Sequence, residues 1–253
     1  MELLGLQGRS AVVTGGSRGV GRAVALLLGR AGADVVVGYR SRQEDAARVV
    51  EELRELGVRG CAVAGDLTRE EDARELFRTA HERMGGVDFF VGNAGIWNPR
   101  EVPLAEMSTG QWRETLSANL DSAFFTTREA ARSLRTGGAI VLVSSTAGQR
   151  GEAFHGDYAA TKGALISLVK GLCVELAPRG IRVNAVAPGW VDTEMVADVL
   201  TGEVRRSAET GIPLRRIATA EDVAGPILFL CSTLARHVTG EILNVNGGSV
   251  LVG

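Results

Sequence analysis

Tyr158 and Lys162 stand four residues apart in Tyr158-Ala159-Ala160-Thr161-Lys162, a segment with helical composition. On a helix that spacing sets both side chains on one face. A phenol of pKa ~10 is a weak acid–base group at neutral pH, and a neighbouring ammonium favours its ionised form. Lowering it by about three units takes about 4 kcal/mol of differential interaction. By itself the pair is a common helical spacing, equally suited to a structural role. Ser145, thirteen residues earlier, adds weight because it follows the apolar run Ile140-Val141-Leu142-Val143. That position is the end of a strand, and the carboxyl ends of parallel strands are where open α/β sheets hold ligands.

A second constellation is Thr14-Gly15-Gly16-Ser17-Arg18-Gly19-Val20-Gly21, between the apolar Ser10–Thr14 and the helical Arg22-Ala23-Val24-Ala25-Leu26-Leu27. A glycine-rich turn from strand to helix lets backbone amides approach a pyrophosphate at the positive end of the helix. Three glycines alone carry little information. Strand before and helix after are the context that gives them meaning. The spacing, T-G-x-x-x-G-x-G, differs from the G-x-G-x-x-G fingerprint.

Both constellations need a sheet to hold them. Strand-length apolar runs recur at Ser10–Thr14, Asp34–Tyr39, Gly60–Ala64, Asp88–Gly92, Ala139–Ser144, Arg182–Val186 and Ile242–Val245. They are continuous rather than alternating, as in parallel strands covered on both faces. Helical patterns lie between them at about Gly19–Ala31, Arg42–Leu56, Arg69–Met84, Gly110–Leu134, Tyr158–Ala177 and Ala220–Leu234. The alternation predicts a single α/β domain over 1–253, a doubly wound parallel sheet with right-handed crossovers. Helix ends are expected at Gly32, Gly57, Gly85 and Gly180. The polar stretch Asp192–Gly211, after Pro188-Gly189-Trp190, reads either as a small lid over about 190–211 or as a surface excursion.

Composition narrows the function classes. Lys plus Arg number 28 against 30 Asp plus Glu, a formal charge of −2, so no global field favours nucleic acid or membrane. Glycine is the anomaly: 33 of 253 residues, with only 6 prolines, which excludes collagen and Pro/Gly-rich disorder. Cys61, Cys173 and Cys231 are far apart and odd in number, so neither a disulfide framework nor a metal site is expected. The start, Met1-Glu2-Leu3-Leu4-Gly5-Leu6, has no export signature and no apolar run is long enough to span a membrane. A cytoplasmic protein is the expectation.

The glycine spacing resembles that of the short-chain dehydrogenase/reductase superfamily, and the resemblance runs along nearly the whole chain. Gly92-Asn93-Ala94-Gly95 is similar to that family's N-N-A-G segment, with glycine in the first place. Asn119, Ser145, Tyr158 and Lys162 match its catalytic set, and Pro188-Gly189-Trp190-Val191-Asp192-Thr193 its P-G-x-x-x-T segment. Val245-Asn246-Gly247-Gly248 resembles its usual ending. The resemblance implies a Rossmann-type fold and a hydride-transferring oxidoreductase. It implies a dinucleotide held by Gly15, Ser17, Arg18, Gly19, Val20 and Gly21, by Asn93, Ala94 and Gly95, by Tyr158 and Lys162, and by Pro188, Gly189, Val191 and Thr193. Family spacing favours Ser145 over Ser144 as the catalytic serine. Asn119, a poor mid-helix residue, is read either as a local kink or as a distortion that positions a water leading to Lys162.

Cofactor choice turns on the end of the second strand, where an acidic residue would bind ribose and repel a 2′-phosphate. Here the chain reads Gly38-Tyr39-Arg40-Ser41, and Arg18 is a second cation nearby. Two guanidinium groups suit a phosphate dianion, so NADP(H) is expected, with Arg40 and Ser41 at that end. Asp66, with Leu67, is implied to contact the adenine. Its other reading is a cap for the helix that follows, a role Thr68 could also fill.

Within the superfamily the chain is most similar to 3-oxoacyl-acyl-carrier-protein reductases, over Thr14–Gly21, Tyr158–Arg182 and Thr239–Gly248. A ketone carried on a small molecule or on an acyl carrier protein is therefore the expected substrate; sugar, polyol and steroid ketones remain open. A dinucleotide sensor without turnover would have no need of Ser145, Tyr158 and Lys162 together. Ile96, Trp97, Asn98 and the Gly148–Asp157 loop should line the substrate pocket, with His155 either in it or facing solvent. Those reductases dock their carrier through arginines near the active-site mouth, and Arg179 and Arg135 stand at or near such positions. The family also implies a homotetramer.

Overall fold

The computed structural model describes residues 2–251. Among them the strands are β1 (Ser10–Thr14), β2 (Asp34–Tyr39), β3 (Gly60–Ala64), β4 (Val87–Gly92), β5 (Leu134–Val143), β6 (Arg182–Pro188) and β7 (Ile242–Val245). All pair in parallel, in the order β3-β2-β1-β4-β5-β6-β7. The order reverses between β1 and β4, so the chain leaves these neighbours in opposite directions and opens a crevice above their carboxyl ends.

The helices are α1 (Gly19–Arg30), α2 (Gln43–Glu55), α3 (Glu70–Met84), α4 (Thr109–Leu116), α5 (Ser122–Ser133), α6 (Thr146–Arg150), α7 (Gly156–Leu176), α8 (Gly202–Gly211) and α9 (Ala220–Cys231). Alternate strand residues feed two cores. Ala11, Val13, Val35, Val37, Val91 and Val141 pack with α1, α2 and α9; Val12, Val36, Phe90, Ile140 and Leu142 pack with α3, α5 and α7. Sheet faces covered on both sides explain why the strands read as unbroken apolar runs. Gly32, Gly57, Gly85 and Gly180 all have positive φ beside helix ends.

Three boundaries differ from expectation, each for a local reason. The helix expected over Gly110–Leu134 is interrupted by a π-turn at Ser117–Asp121, between α4 and α5. The strand expected at Ala139 starts at Leu134, because Val87 pairs with Leu134 and Phe89 with Ala139, leaving Arg135–Gly138 as a bulge. The last long helix stops at Cys231 rather than Leu234, where Ser232 turns extended and caps a short 3-10 turn.

At the amino edge of the sheet the buried carboxylate of Asp88 gathers β1, β4 and the bulge. It accepts from the Ser10 amide at 3.0 Å, from Arg9 at 2.8 Å and from Arg135 at 3.1 Å. Arg135 also donates to the Gly85 carbonyl, and Arg179 donates to the carbonyls of Ala131 and Leu134. Both arginines are thus spent on backbone at the end of the sheet opposite the crevice. Neither lines the cleft, and their bonds fasten the end of α5 to β5.

Candidate active site

The crevice is a cleft of about 610 Å³ running from the β2 end, past β1 and β4, to the ends of β5 and β6. Of the residues expected to form the site, all line this cleft except Gly21 and Asn119, which stand behind the wall. Ile96 and Trp97 line it as well; Asn98 does not, being exposed with its Oδ1 accepting from the Arg100 amide.

Its floor is tied together by Thr14 and Asn93. The Thr14 hydroxyl accepts from the amides of Asn93 at 3.0 Å and Ala94 at 3.1 Å. The Asn93 amide group donates back to the carbonyls of Thr14 at 3.0 Å and Gly15 at 3.3 Å. Gly15 takes φ +63°, a left-handed turn that a side chain would strain. A Cβ on Gly21 would lie 2.2 Å from the Gly15 carbonyl oxygen and 2.6 Å from the Asn93 Nδ2. The turn therefore closes flat against the first turn of α1, whose N-cap residue Arg18 makes no side-chain cap bond. Backbone amides at a positive helix end, with no side chain in the way, fit a pyrophosphate.

At the β2 end, Arg40, Ser41 and Arg42 face Asp66 and Leu67 across the cleft mouth. The Asp66 carboxylate accepts from the Thr68 amide at 3.1 Å and the Thr68 hydroxyl at 2.8 Å, and those bonds, with Arg40 nearby, hold its pKa below the usual value. The reading of Asp66 as a helix cap is corrected: the N-cap of α3 is Arg69, and Asp66 makes a turn with Thr68 before it. Arg18 bonds the Glu194 carboxylate at 2.7 Å and Arg42 reaches the same oxygen at 3.3 Å. Neither Arg42 nor Glu194 was legible in advance, because they meet across more than 150 residues of sequence.

At the other end, Tyr158 and Lys162 lie on one face of α7. The buried Asp157 fixes the start of that helix, accepting from Thr115 at 2.7 Å and Gln111 at 3.2 Å on α4. Lys162 is buried, its Nζ donating to the Val143 carbonyl at 2.8 Å and lying 5.6 Å from the Tyr158 ring centroid. Burial lowers its pKa to about 8. Burial also dominates at Tyr158, pushing the phenol up to about 12 against a lowering hydrogen bond from Ser145. Among the protein's own groups the Tyr158 pKa is not depressed, because desolvation is the larger effect. The phenol is a protonated donor at neutral pH.

Both serines line the cleft, but Ser144 donates to the Lys162 carbonyl at 2.8 Å, whereas Ser145 bonds Tyr158. Asn119 sits in the π-turn with its side chain fully used: Oδ1 accepts from the Ile96 amide at 2.7 Å, and Nδ2 donates to the Ile96 carbonyl at 2.9 Å. The local distortion is real, and it couples the loop after β4 to α7 through Thr161 at 3.3 Å. His155 is buried rather than solvent-facing; it stacks on Trp97 with ring centroids 5.1 Å apart. Over the cleft, residues 190–211 turn back through Trp190, Val196, Ala208 and α8, clustered around Leu200, Ile212 and Ile217. The cleft wall also takes in Arg150, Glu152, Ser249 and Val250. Arg150 and Glu152 belong to the Gly148–Asp157 loop expected to line the pocket, whereas Ser249 and Val250 stood out in no motif.

A family model described as Enoyl-(Acyl carrier protein) reductase matches residues 15–249. The 3-oxoacyl-[acyl-carrier-protein] reductase FabG of Aquifex aeolicus is 40% identical over 245 residues, 96% of this chain and 98% of that one. An L-rhamnose 1-dehydrogenase (NAD(P)(+)) of Azotobacter vinelandii is 38% identical, covering 95% and 96%. Among solved structures, a short chain dehydrogenase from Burkholderia cenocepacia in complex with NADP superposes with a TM-score of 0.91 at 36% identity, covering 96% and 98%.

The close contact at Gly21 yields a test independent of any substrate. Gly21→Ala should weaken dinucleotide binding at least about tenfold, since the added methyl must push the turn off its flat seat. Quenching of Trp97 and Trp190, both on the cleft wall, reports the binding; an unchanged affinity would remove the turn from that role.

Proposed function

Because the chain belongs to the short-chain dehydrogenase/reductase family, we propose that it reduces a ketone to a secondary alcohol at the expense of NADPH, with a 3-oxoacyl thioester as the leading substrate. What carries the reading is the convergence of Ser145, Tyr158 and Lys162 at one end of a cleft whose other end is the glycine turn. In this reading Gly15–Gly21 would hold the dinucleotide pyrophosphate, Arg18, Arg40 and Ser41 its 2′-phosphate, and Asp66 and Leu67 its adenine. Asn93, Ala94 and Gly95 form the floor beneath it, and Pro188, Gly189, Val191 and Thr193 hold the nicotinamide end. The reduced nicotinamide supplies a hydride to the carbonyl carbon when bound.

The protein's own groups handle the oxygen. Tyr158, protonated, gives its proton to the carbonyl oxygen. Ser145 donates a hydrogen bond to that oxygen as negative charge develops. Lys162, held by Val143, supports the phenol and the ribose, and Asn119 maintains the distorted turn behind them. The A. aeolicus relative supports the acyl thioester, and the NADP-bound neighbour supports the phosphorylated cofactor. The lid over about 190–211 closes the nicotinamide end.

The family's homotetramer is part of the proposal. Phe124 and Val174 stay 47% and 72% exposed on the α5–α7 face, beside a groove that includes Leu120, Leu168 and Leu172. Light scattering is expected to give the mass of four chains, and a single-chain mass would overturn it. A cytoplasmic location is proposed on the same footing; no helix among the described residues is long and apolar enough to cross a membrane.

NADPH oxidation in the presence of an acetoacetyl thioester tests the activity. Turnover should favour NADPH over NADH at least about tenfold in kcat/KM, and Tyr158→Phe should lose about 10²–10⁴ in kcat while still binding NADPH. NADH matching NADPH would refute the cofactor reading; turnover surviving in the variant would remove Tyr158 from its role.

The pH profile follows from Lys162. Its pKa is lowered to about 8, so the ammonium present at neutrality is lost as pH rises through that value. Tyr158, raised to about 12, stays protonated across the same range. The kcat for reduction should therefore fall above about pH 8, and a level profile from about pH 7 to about pH 10 would separate Lys162 from the rate.

A further inference from the structure

Glu152 stands on the cleft wall, in the loop between α6 and α7, and its charge bears on the Tyr158 phenol. Its side chain is half-buried, and desolvation raises its pKa even though Arg150 and His155 pull the other way. Among the described residues it has neither a side-chain hydrogen bond nor an ion pair, although Arg150 lines the same cleft. Nor does it cap α7, whose N-cap residue His155 makes no side-chain cap bond. A carboxylate stripped of water and given no protein partner costs stability. Beside it His155 is buried with its Nε2 unbonded, stacked on Trp97, which meets Trp190 edge-on at 6.0 Å. Trp97 and Trp190 line the same cleft as Arg150 and Glu152.

We propose that Glu152 is a specificity-determining residue that accepts a hydrogen bond from a hydroxyl adjacent to the reacting carbonyl, so that the site also reduces α-hydroxyketones to vicinal diols. The proposal rests on the reading of Tyr158 and Ser145 as the ketone-reducing pair. A hydroxyl suits this wall better than a cation, because it can donate to the carboxylate while accepting from the Arg150 guanidinium. A ketone bearing that hydroxyl gains a bond at Glu152 that its deoxy analogue cannot make. In the reaction a hydride from NADPH forms the new C–H bond. The carbonyl π pair takes the Tyr158 proton to form O–H, and the dinucleotide is released oxidised by two electrons. The hydroxyl held by Glu152 is unchanged.

The test compares 1-hydroxybutan-2-one, butan-2-one and an acetoacetyl thioester with NADPH, using the wild-type protein, Glu152→Ala and Glu152→Gln. In the wild type, kcat/KM for the hydroxyketone should exceed that for its deoxy analogue by at least about tenfold. In Glu152→Ala that ratio should collapse, mainly through KM of the hydroxyketone, and Glu152→Gln, which keeps an acceptor, should retain part of it. Tryptophan quenching by NADPH shows that each variant is folded. Equal kcat/KM for the two ketones in the wild type, or a ratio unmoved in Glu152→Ala, overturns the inference. Thioester turnover with no hydroxyketone turnover overturns it too while leaving the parent reading intact; no turnover of any ketone brings down both.

Discussion

The hydrogen bonds between Thr14 and Asn93 decide what the crevice can be. Where strand order reverses, β1 and β4 send the chain to opposite faces, and nothing in the sheet ladder beyond Val13–Val91 holds their ends together. The Thr14 hydroxyl takes two amides from the β4 side, and the Asn93 side chain returns two bonds to the β1 side. A charge-neutral clasp of this kind satisfies buried backbone groups while leaving no side chain in the space above. The flat glycine turn is seated on it, for Asn93 Nδ2 is one of the atoms a Cβ at Gly21 would strike.

A second clasp governs the reactive end. Lys162 is buried beside the cleft, and the Val143 carbonyl at the end of β5 accepts a hydrogen bond from its ammonium. Ser144, the next residue, holds the Lys162 carbonyl from the other side, so strand end and helix are locked in register. Ser145 is left pointing into the cleft. The two adjacent serines thus divide the work by strand geometry: successive side chains face opposite ways, and only one can reach the phenol. Burial also explains why Tyr158 and Lys162 shift in opposite directions. Each is pushed toward its neutral form, which for a phenol means holding its proton.

Much of the fold was legible because buried parallel strands are spelled as short apolar runs; β1, β2, β3 and β7 fall where those runs do. The failures share a cause. A π-turn at Ser117–Asp121, a bulge at Arg135–Gly138 and the end of α9 at Cys231 are set by tertiary contacts that periodicity does not encode. Asn119 is the instructive case: its poor helical fit was visible, but the reason lies in Ile96, 23 residues away, whose amide and carbonyl it binds. At the site, residues clustered in motifs were readable. Arg42 and Glu194 were not, since single charges carry no signal until the fold brings them to one cavity.

Arg135 and Arg179 carry structural bonds that no motif announced. Arginine near a family position suggests a docking surface, yet each guanidinium is consumed where helix gives way to strand without a loop. Ser133 ends α5 and Leu134 begins β5, so no intervening turn is left to bond the last carbonyls of the helix. Arg179 supplies those donors from the turn after α7, and Arg135 closes the bulge against Asp88. A short connection creates unpaired carbonyls, and long side chains with several donors are recruited to satisfy them.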